Sequence, residues 1–164
     1  MSTTTIQAPV DIIRDDELYE VIDGQRVRTR PMGVFAVWLA FRLARHLANH
    51  TDLKLGRALT EALFHLPAPV NRDRRPDVAY VSYERWPKSR SVPRLENAWD
   101  VVPDLAAEVV SPSDVIDELD EKIDEYFRVG VQLVWVVRPM QSTIHVYTSP
   151  TQITVLTKAD TLDG

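Results

Sequence analysis

Residues Asp104–Val137 constrain the fold more than any other stretch of the chain. Asp104–Val110 (DLAAEVV) is a near-continuous apolar run of strand length, and Gln132–Val137 (QLVWVV) is a second one. Between them, in Ser111–Gly130, Val115, Leu119, Ile123 and Tyr126 recur at the three-and-four spacing of one helical face. Strand, helix, strand in this order is a crossover unit, which places the two strands parallel in one sheet. Apolar runs without alternation suit strands covered on both faces. Ser111 is the expected helix cap, Pro112 the first helical residue and Gly130 the stop.

The flanking segments add antiparallel elements. Leu18–Ile22 and Gln25–Arg30 read as strands around an Asp23-Gly24 turn, with Arg26, Arg28 and Arg30 alternating onto one side. Pro31–Gly33 breaks this pattern. Val34–Asn49 follows as a strongly apolar helix, with Val34, Trp38, Phe41 and Leu47 expected inside and Arg42, Arg45 and His46 as its polar residues. Arg57–Leu66 reads as one strand, Pro67–Arg75 as a loop and Asp77–Ser82 as a strand. Tyr83–Val102 is irregular, and Thr143–Thr148 and Gln152–Leu156 are further strands. The fold class is therefore α/β (α+β), a mixed β-sheet flanked by α-helices. Residues 1–16 are expected to be disordered and 17–164 to form a single domain. Nothing closes the sheet after the last strand, so a C-terminal element is expected beyond Gly164.

Composition removes several kinds of chemistry. The chain has no cysteine, which excludes disulfides, thiolate metal sites and cysteine nucleophiles. No apolar run approaches the roughly 20 residues that span a bilayer, so no membrane association is expected. The start lacks a signal-peptide pattern, which predicts a cytoplasmic protein. A net charge of −5 argues against a dedicated nucleic-acid coat, yet it leaves room for a local, metal-assisted contact with phosphates. His46, His50, His65 and His145 form no zinc-ligand set.

Three ionisable residues stand where packing alone would not put them. On the helical wheel Lys122 falls between Val115, Leu119 and Tyr126, while Asp117, Asp120, Glu121, Asp124 and Glu125 take the solvent side. A core-facing lysine needs an anion, and Glu108, inside the preceding apolar strand, is the obvious one. Asp77 opens a strand of its own. Two carboxylates on neighbouring strands can share a hard divalent cation, and a lysine beside them can orient or deprotonate a water and offset charge on a phosphorane-like transition state. Each has a plainer explanation: a solvated strand-start acid for Asp77, a structural ion pair for Glu108, a lysine reaching out to water for Lys122. Glu61 and Glu20 are candidate supporting acids, with surface strand positions as the alternative. Arg72, Arg74 and Arg75 are candidate phosphate contacts or a solvated loop. Ser111 and Ser113 read as capping residues, not nucleophiles.

The fragments RRPDVAYVS, PDLAAEVVSPSD and KIDEYFRVGVQLVWVV, in this order, resemble the bacterial Uma-two family of restriction-endonuclease-like proteins, within the PD-(D/E)XK nuclease superfamily. YEVIDGQRVRTRPMG and the apolar helix after it are similar to the family's opening, so the resemblance covers about Leu18 to Gly164. It implies a restriction-endonuclease-like fold and a Mg²⁺-dependent (or Mn²⁺-dependent) endonuclease acting on DNA. By motif, Asp77 resembles the acid of the PD half and Glu108 the acid of the second half, with a backbone carbonyl near Val109 as third metal ligand. The lysine expected two residues after the second acid is replaced by Val110, and Lys122 matches a lysine that has migrated to the next helix. A homodimer would provide two sites for the two strands of a duplex. Two alternatives stay open: a non-catalytic interaction or regulatory module on the same scaffold, and a nuclease for RNA or branched DNA.

Overall fold

The structure is a computed structural model and describes residues 17–50 and 55–162. The expectation of disorder over residues 1–16 lies outside the described residues. The chain opens with a hairpin of β1 (Tyr19–Ile22) and β2 (Gln25–Arg28). Asp23 and Gly24, at φ 52° and 78°, provide the two left-handed residues of a tight turn. Helix α1 (Val34–His50) follows, then β3 (Gly56–Thr60), β4 (Phe64–Leu66), β5 (Arg72–Arg74) and β6 (Val78–Ser82). After the irregular segment come β7 (Leu105–Val109), helix α2 (Ile116–Arg128), β8 (Leu133–Arg138), β9 (Thr143–Ser149) and β10 (Gln152–Leu156).

These strands build two sheets, not the single mixed sheet expected. The larger has the order β10-β9-β8-β7-β6-β3 and the smaller β2-β1-β5-β4. Glu61 explains the split. It takes φ 49°, a left-handed turn that ends β3 and redirects the chain into β4, so Arg57–Leu66 is two strands in two sheets. The supposed loop before Asp77 likewise contains a strand, β5, paired with β1 and β4. The crossover is as expected: β7 and β8 are parallel, and all of β7 is buried at a central position.

The two helices cover opposite faces of β7. Leu105, Ala107 and Val109 pack with Ala36, Ala40 and Leu47 of α1. Ala106 joins Leu119, Ile123 and Tyr126 of α2. Strand alternation then aims Glu108 at α2. Two details of α2 correct the sequence reading. It starts at Ile116, because the Ser111 N–H and Oγ donate to the Asp114 carboxylate at 2.7 and 2.9 Å in a turn of their own, leaving Val115 at the cap position. Glu125, expected in water, is buried. The other end is as expected: Gly130 turns at φ 94° and Val131 N–H reaches the Tyr126 carbonyl at 3.0 Å.

Helix α1 is rotated from its expected setting. Leu47 is buried, but Val34 is 89% exposed and Trp38 and Phe41 also lie outward, with Phe35 and Val37 beside them. A helix this uniformly apolar carries little information on which side faces in. Small Ala36 and Ala40 let its axis settle close against the sheet, and the bulky residues are left outside. No helix among the described residues is long and apolar enough to cross a membrane.

Candidate active site

Where the two sheets and α2 meet, a cleft of about 410 Å³ is lined by Glu20, Glu61, Asp77, Glu108, Val109, Asp114 and Lys122, among others. The sequence candidates therefore come together from five places in the chain. Glu20 rides on β1, Glu61 on the β3–β4 turn, Asp77 on the approach to β6, Glu108 and Val109 on β7, and Lys122 on α2.

Lys122 has two carboxylate partners. Its Nζ lies 2.9 Å from Glu20 Oε1 and 3.8 Å from Glu108 Oε2. The expected partner, Glu108, is present but the nearer one is Glu20. Burial disfavours the lysine's charge, yet Glu108 and Glu20 outweigh it and hold its pKa above the ordinary value. Lys122 is thus a fixed cation at neutral pH. Glu20 is the mirror case: burial works against its charge, but Lys122, the Arg75 N–H at 2.9 Å and Arg74 lower its pKa.

Asp77 and Glu108 behave differently. Burial raises Glu108 to about 8, and the nearby Asp77 and Glu20 charges add to this against the pull of Lys122. Burial raises Asp77 to about 6, with Asp114 and Glu61 contributing in the same sense. Asp77 Oδ2 accepts a hydrogen bond from the Val109 N–H at 2.6 Å, which stitches the two strand ends together. Glu108 Oε1 accepts one from Tyr126 Oη at 2.8 Å, so its Oε2 is the oxygen beside Lys122. A buried and a half-buried carboxyl that resist ionisation next to one another are a pair that a divalent cation would stabilise. Among the described residues no group of three or more His, Asp or Glu side chains is set to hold a metal. A two-carboxylate site suits Mg²⁺, which takes few protein ligands and fills its other positions with water, carbonyl and phosphate oxygens.

The three arginines before Asp77 are placed unlike a solvated loop. Arg74 is 2% exposed, with Nε 2.6 Å from Glu125, Nη1 2.9 Å from Glu20 and Nη2 3.3 Å from Glu121. Arg72 pairs with Glu121 at 2.7 Å, with Asp23 at 3.1 Å and with Glu125. Arg75 donates to the carbonyls of Tyr19 and Glu61. Arg72 and Arg74 tie the small sheet to α2, and carboxylates occupy their guanidinium groups. Sequence reasoning missed Glu121, Glu125 and Asp114. A usable signal was present, since Glu118, Glu121 and Glu125 recur at helical spacing beside the apolar stripe, and Arg72 and Arg74 alternate as strand residues do.

A family model described as "Putative restriction endonuclease", Uma2, matches residues 6–164. The chain belongs to the Uma2 family. Among solved structures, this Uma2 chain is similar to one described as a putative nuclease belonging to DUF820, from Anabaena variabilis, with a TM-score of 0.71 and 20% identity over 89% of this chain and 80% of that one. At that identity the likeness establishes the fold, a restriction-endonuclease-like mixed α+β architecture. No curated protein matches the chain.

Proposed function

We propose that this Uma2 chain is a Mg²⁺-dependent endonuclease that hydrolyses DNA phosphodiester bonds in the cleft between its two sheets. One observation carries the reading: in one cleft the buried Glu108 and the half-buried Asp77, on adjoining strands, face a half-buried lysine held 2.9 Å from Glu20 and 3.8 Å from Glu108, and both carboxyls are shifted toward the protonated form while the lysine stays charged. Asp77 and Glu108 would hold the ion, with the Val109 carbonyl as third ligand; Mn²⁺ would serve as well. When bound, the ion supplies Lewis-acid polarisation of a phosphoryl oxygen and a more acidic water.

The remaining roles belong to the chain's own groups. Lys122 is held in the charged form, so it acts by electrostatics on the attacking water and on charge developing at the phosphorus oxygens, not as a proton acceptor. Glu20 fixes the lysine's direction through their 2.9 Å contact. Glu61, at the cleft wall, is the supporting acid closest in role to a proton carrier for water. Tyr126 keeps Glu108 from rotating.

The exposed face of α1 supports a homodimer. Val34, Phe35, Val37, Trp38 and Phe41 lie along one side of the helix, and with aromatic side chains of about 150–250 Å² each they present roughly 600 Å² of surface. That approaches the ~800 Å² per partner of a standard interface, and an apolar stripe is self-complementary about a two-fold axis.

The test is cleavage of supercoiled plasmid and single-stranded DNA with Mg²⁺, Mn²⁺ or EDTA, using wild type and Glu108→Ala purified in parallel. Metal-dependent cutting that the variant lacks supports the proposal. No cutting on DNA, RNA or branched substrates, with no thermal shift on adding Mg²⁺, would overturn it in favour of an interaction module on the same scaffold.

A further inference from the structure

A polynucleotide entering this cleft meets an electrostatic problem. The lining carries seven acidic side chains, Glu20, Glu61, Asp77, Glu108, Asp114, Glu118 and Glu121, and the whole chain has a net charge of −5. A bound metal and Lys122 serve the scissile phosphate alone. The neighbouring phosphates need cations of their own, and Arg72 and Arg74 are already engaged with carboxylates.

Two other lining arginines answer this need. Arg28 ends β2 and Arg30 follows it, and their side chains are 67% and 47% exposed, against 3% for Arg74. Their ion pairs are long and solvated: Arg28 to Glu17 at 3.4 Å and Arg30 to Glu118 at 3.5 Å. Such pairs are worth about 0–1 kcal/mol and yield readily to a better anion. Arg30 also donates to the Ser113 carbonyl at 2.9 Å, which sets its guanidinium between the hairpin and the segment leading to α2. Two residues of extended chain cover about 6.6 Å, which sets the two guanidinium groups side by side to meet successive phosphates of one strand.

We propose that Arg28 and Arg30 form a phosphate rail on the outer strand of the hairpin, along which one DNA strand leaves the cleft without regard to sequence. This rests on the nuclease reading of the same cleft and adds the residues that hold the substrate beyond the reacting bond. The hairpin provides strand geometry and exposed guanidinium groups, which bind phosphate by paired hydrogen bonds.

The experiment measures binding of a fluorescein-labelled 20-nucleotide single strand and its duplex by anisotropy over a KCl series, in EDTA and in Ca²⁺, for the full chain. The rail predicts that the Arg28→Ala/Arg30→Ala protein binds about tenfold more weakly, and that the slope of log K against log[salt] shrinks by about 1.4–1.8, some 0.7–0.9 per lost contact. Arg28→Lys/Arg30→Lys should keep most of the slope, and Arg45→Ala, on α1 away from the cleft, should leave it unchanged. A melting temperature within about 2 °C of wild type excludes misfolding as the cause. An unchanged affinity and slope in the double alanine protein overturns the rail, as does equal weakening by Arg45→Ala or a wild type that binds no strand at 50 mM KCl. Cleavage measured in the same preparations separates the two ideas. Loss of binding slope in an inactive protein upholds the rail against the nuclease reading, and an active enzyme with an unchanged slope does the reverse.

Discussion

Helices α1 and α2 cover opposite faces of the same central strand, and their contents are inverted. Helix α1 is mostly apolar, yet it buries Ala36, Ala40 and Leu47 and leaves Val34, Phe35, Trp38 and Phe41 outside. Helix α2 is mostly charged, yet it buries Glu125 and holds Lys122 over the sheet. The difference lies in what else touches each helix. A single sheet face meets α1. By contrast, α2 meets the large sheet on one side and the arginines of the small sheet on the other, so two of its stripes are covered. The dry face is built for packing and the charged face for a site, and substitutions on the two faces should separate accordingly.

The largest effect is expected on the charged face. Asp77→Ala should lower plasmid cleavage by at least about 10³-fold, since it removes half of a two-carboxylate metal site. Lys122→Ala should cost about 10²-fold in rate, the scale of one preorganised electrostatic contact, while the thermal shift on adding Mg²⁺ is kept. Loss of that shift would instead make Lys122 a structural counter-ion.

Glu125→Ala should destabilise by about 3–5 kcal/mol in urea unfolding, because it leaves the buried Arg74 and its neighbour Arg72 short of a partner. A change under about 1 kcal/mol would mean that Glu20 and Glu121 suffice and that burial of charge on α2 is incidental.

A subtler expectation concerns pH. Asp77 and Glu108 have folded pKa values of about 6 and about 8, above their ordinary 3.8 and 4.5. Their contribution to the stability of the metal-free protein is therefore full at acid pH and is lost as pH rises through about 6 and then about 8. Mg²⁺ must displace those protons, so the melting-temperature gain from Mg²⁺ should grow from pH 6 to pH 8.5. A gain that is flat with pH would place the ion away from this pair. The smallest effect on stability belongs to α1. Trp38→Glu should change unfolding free energy by less than about 1 kcal/mol while shifting sedimentation from dimer toward monomer. If wild type sediments as a monomer at micromolar concentration, the apolar face is not a dimer interface.

Local pattern carried much of this molecule. The Asp23-Gly24 hairpin, the β7-α2-β8 crossover and the last two strands follow from periodicity and turn residues, because those signals depend only on neighbours in the chain. The misfit of Lys122 and Glu108 in apolar stripes was legible for the same reason. Tertiary contacts decided the rest. The left-handed turn at Glu61 divides one apparent strand between two sheets, and nothing in ALTEAL marks it. The rotation of α1 depends on how closely alanines let it approach the sheet. Whether an acid on α2 faces water or Arg74 depends on the small sheet arriving from elsewhere, as does the preference of Lys122 for Glu20 over Glu108. The sequence by itself determined most of the elements and which ionisable residues are out of place, since short-range geometry specifies both. Only the tertiary structure decided which charges meet, because pairing through space is set by the packing of segments far apart in the chain.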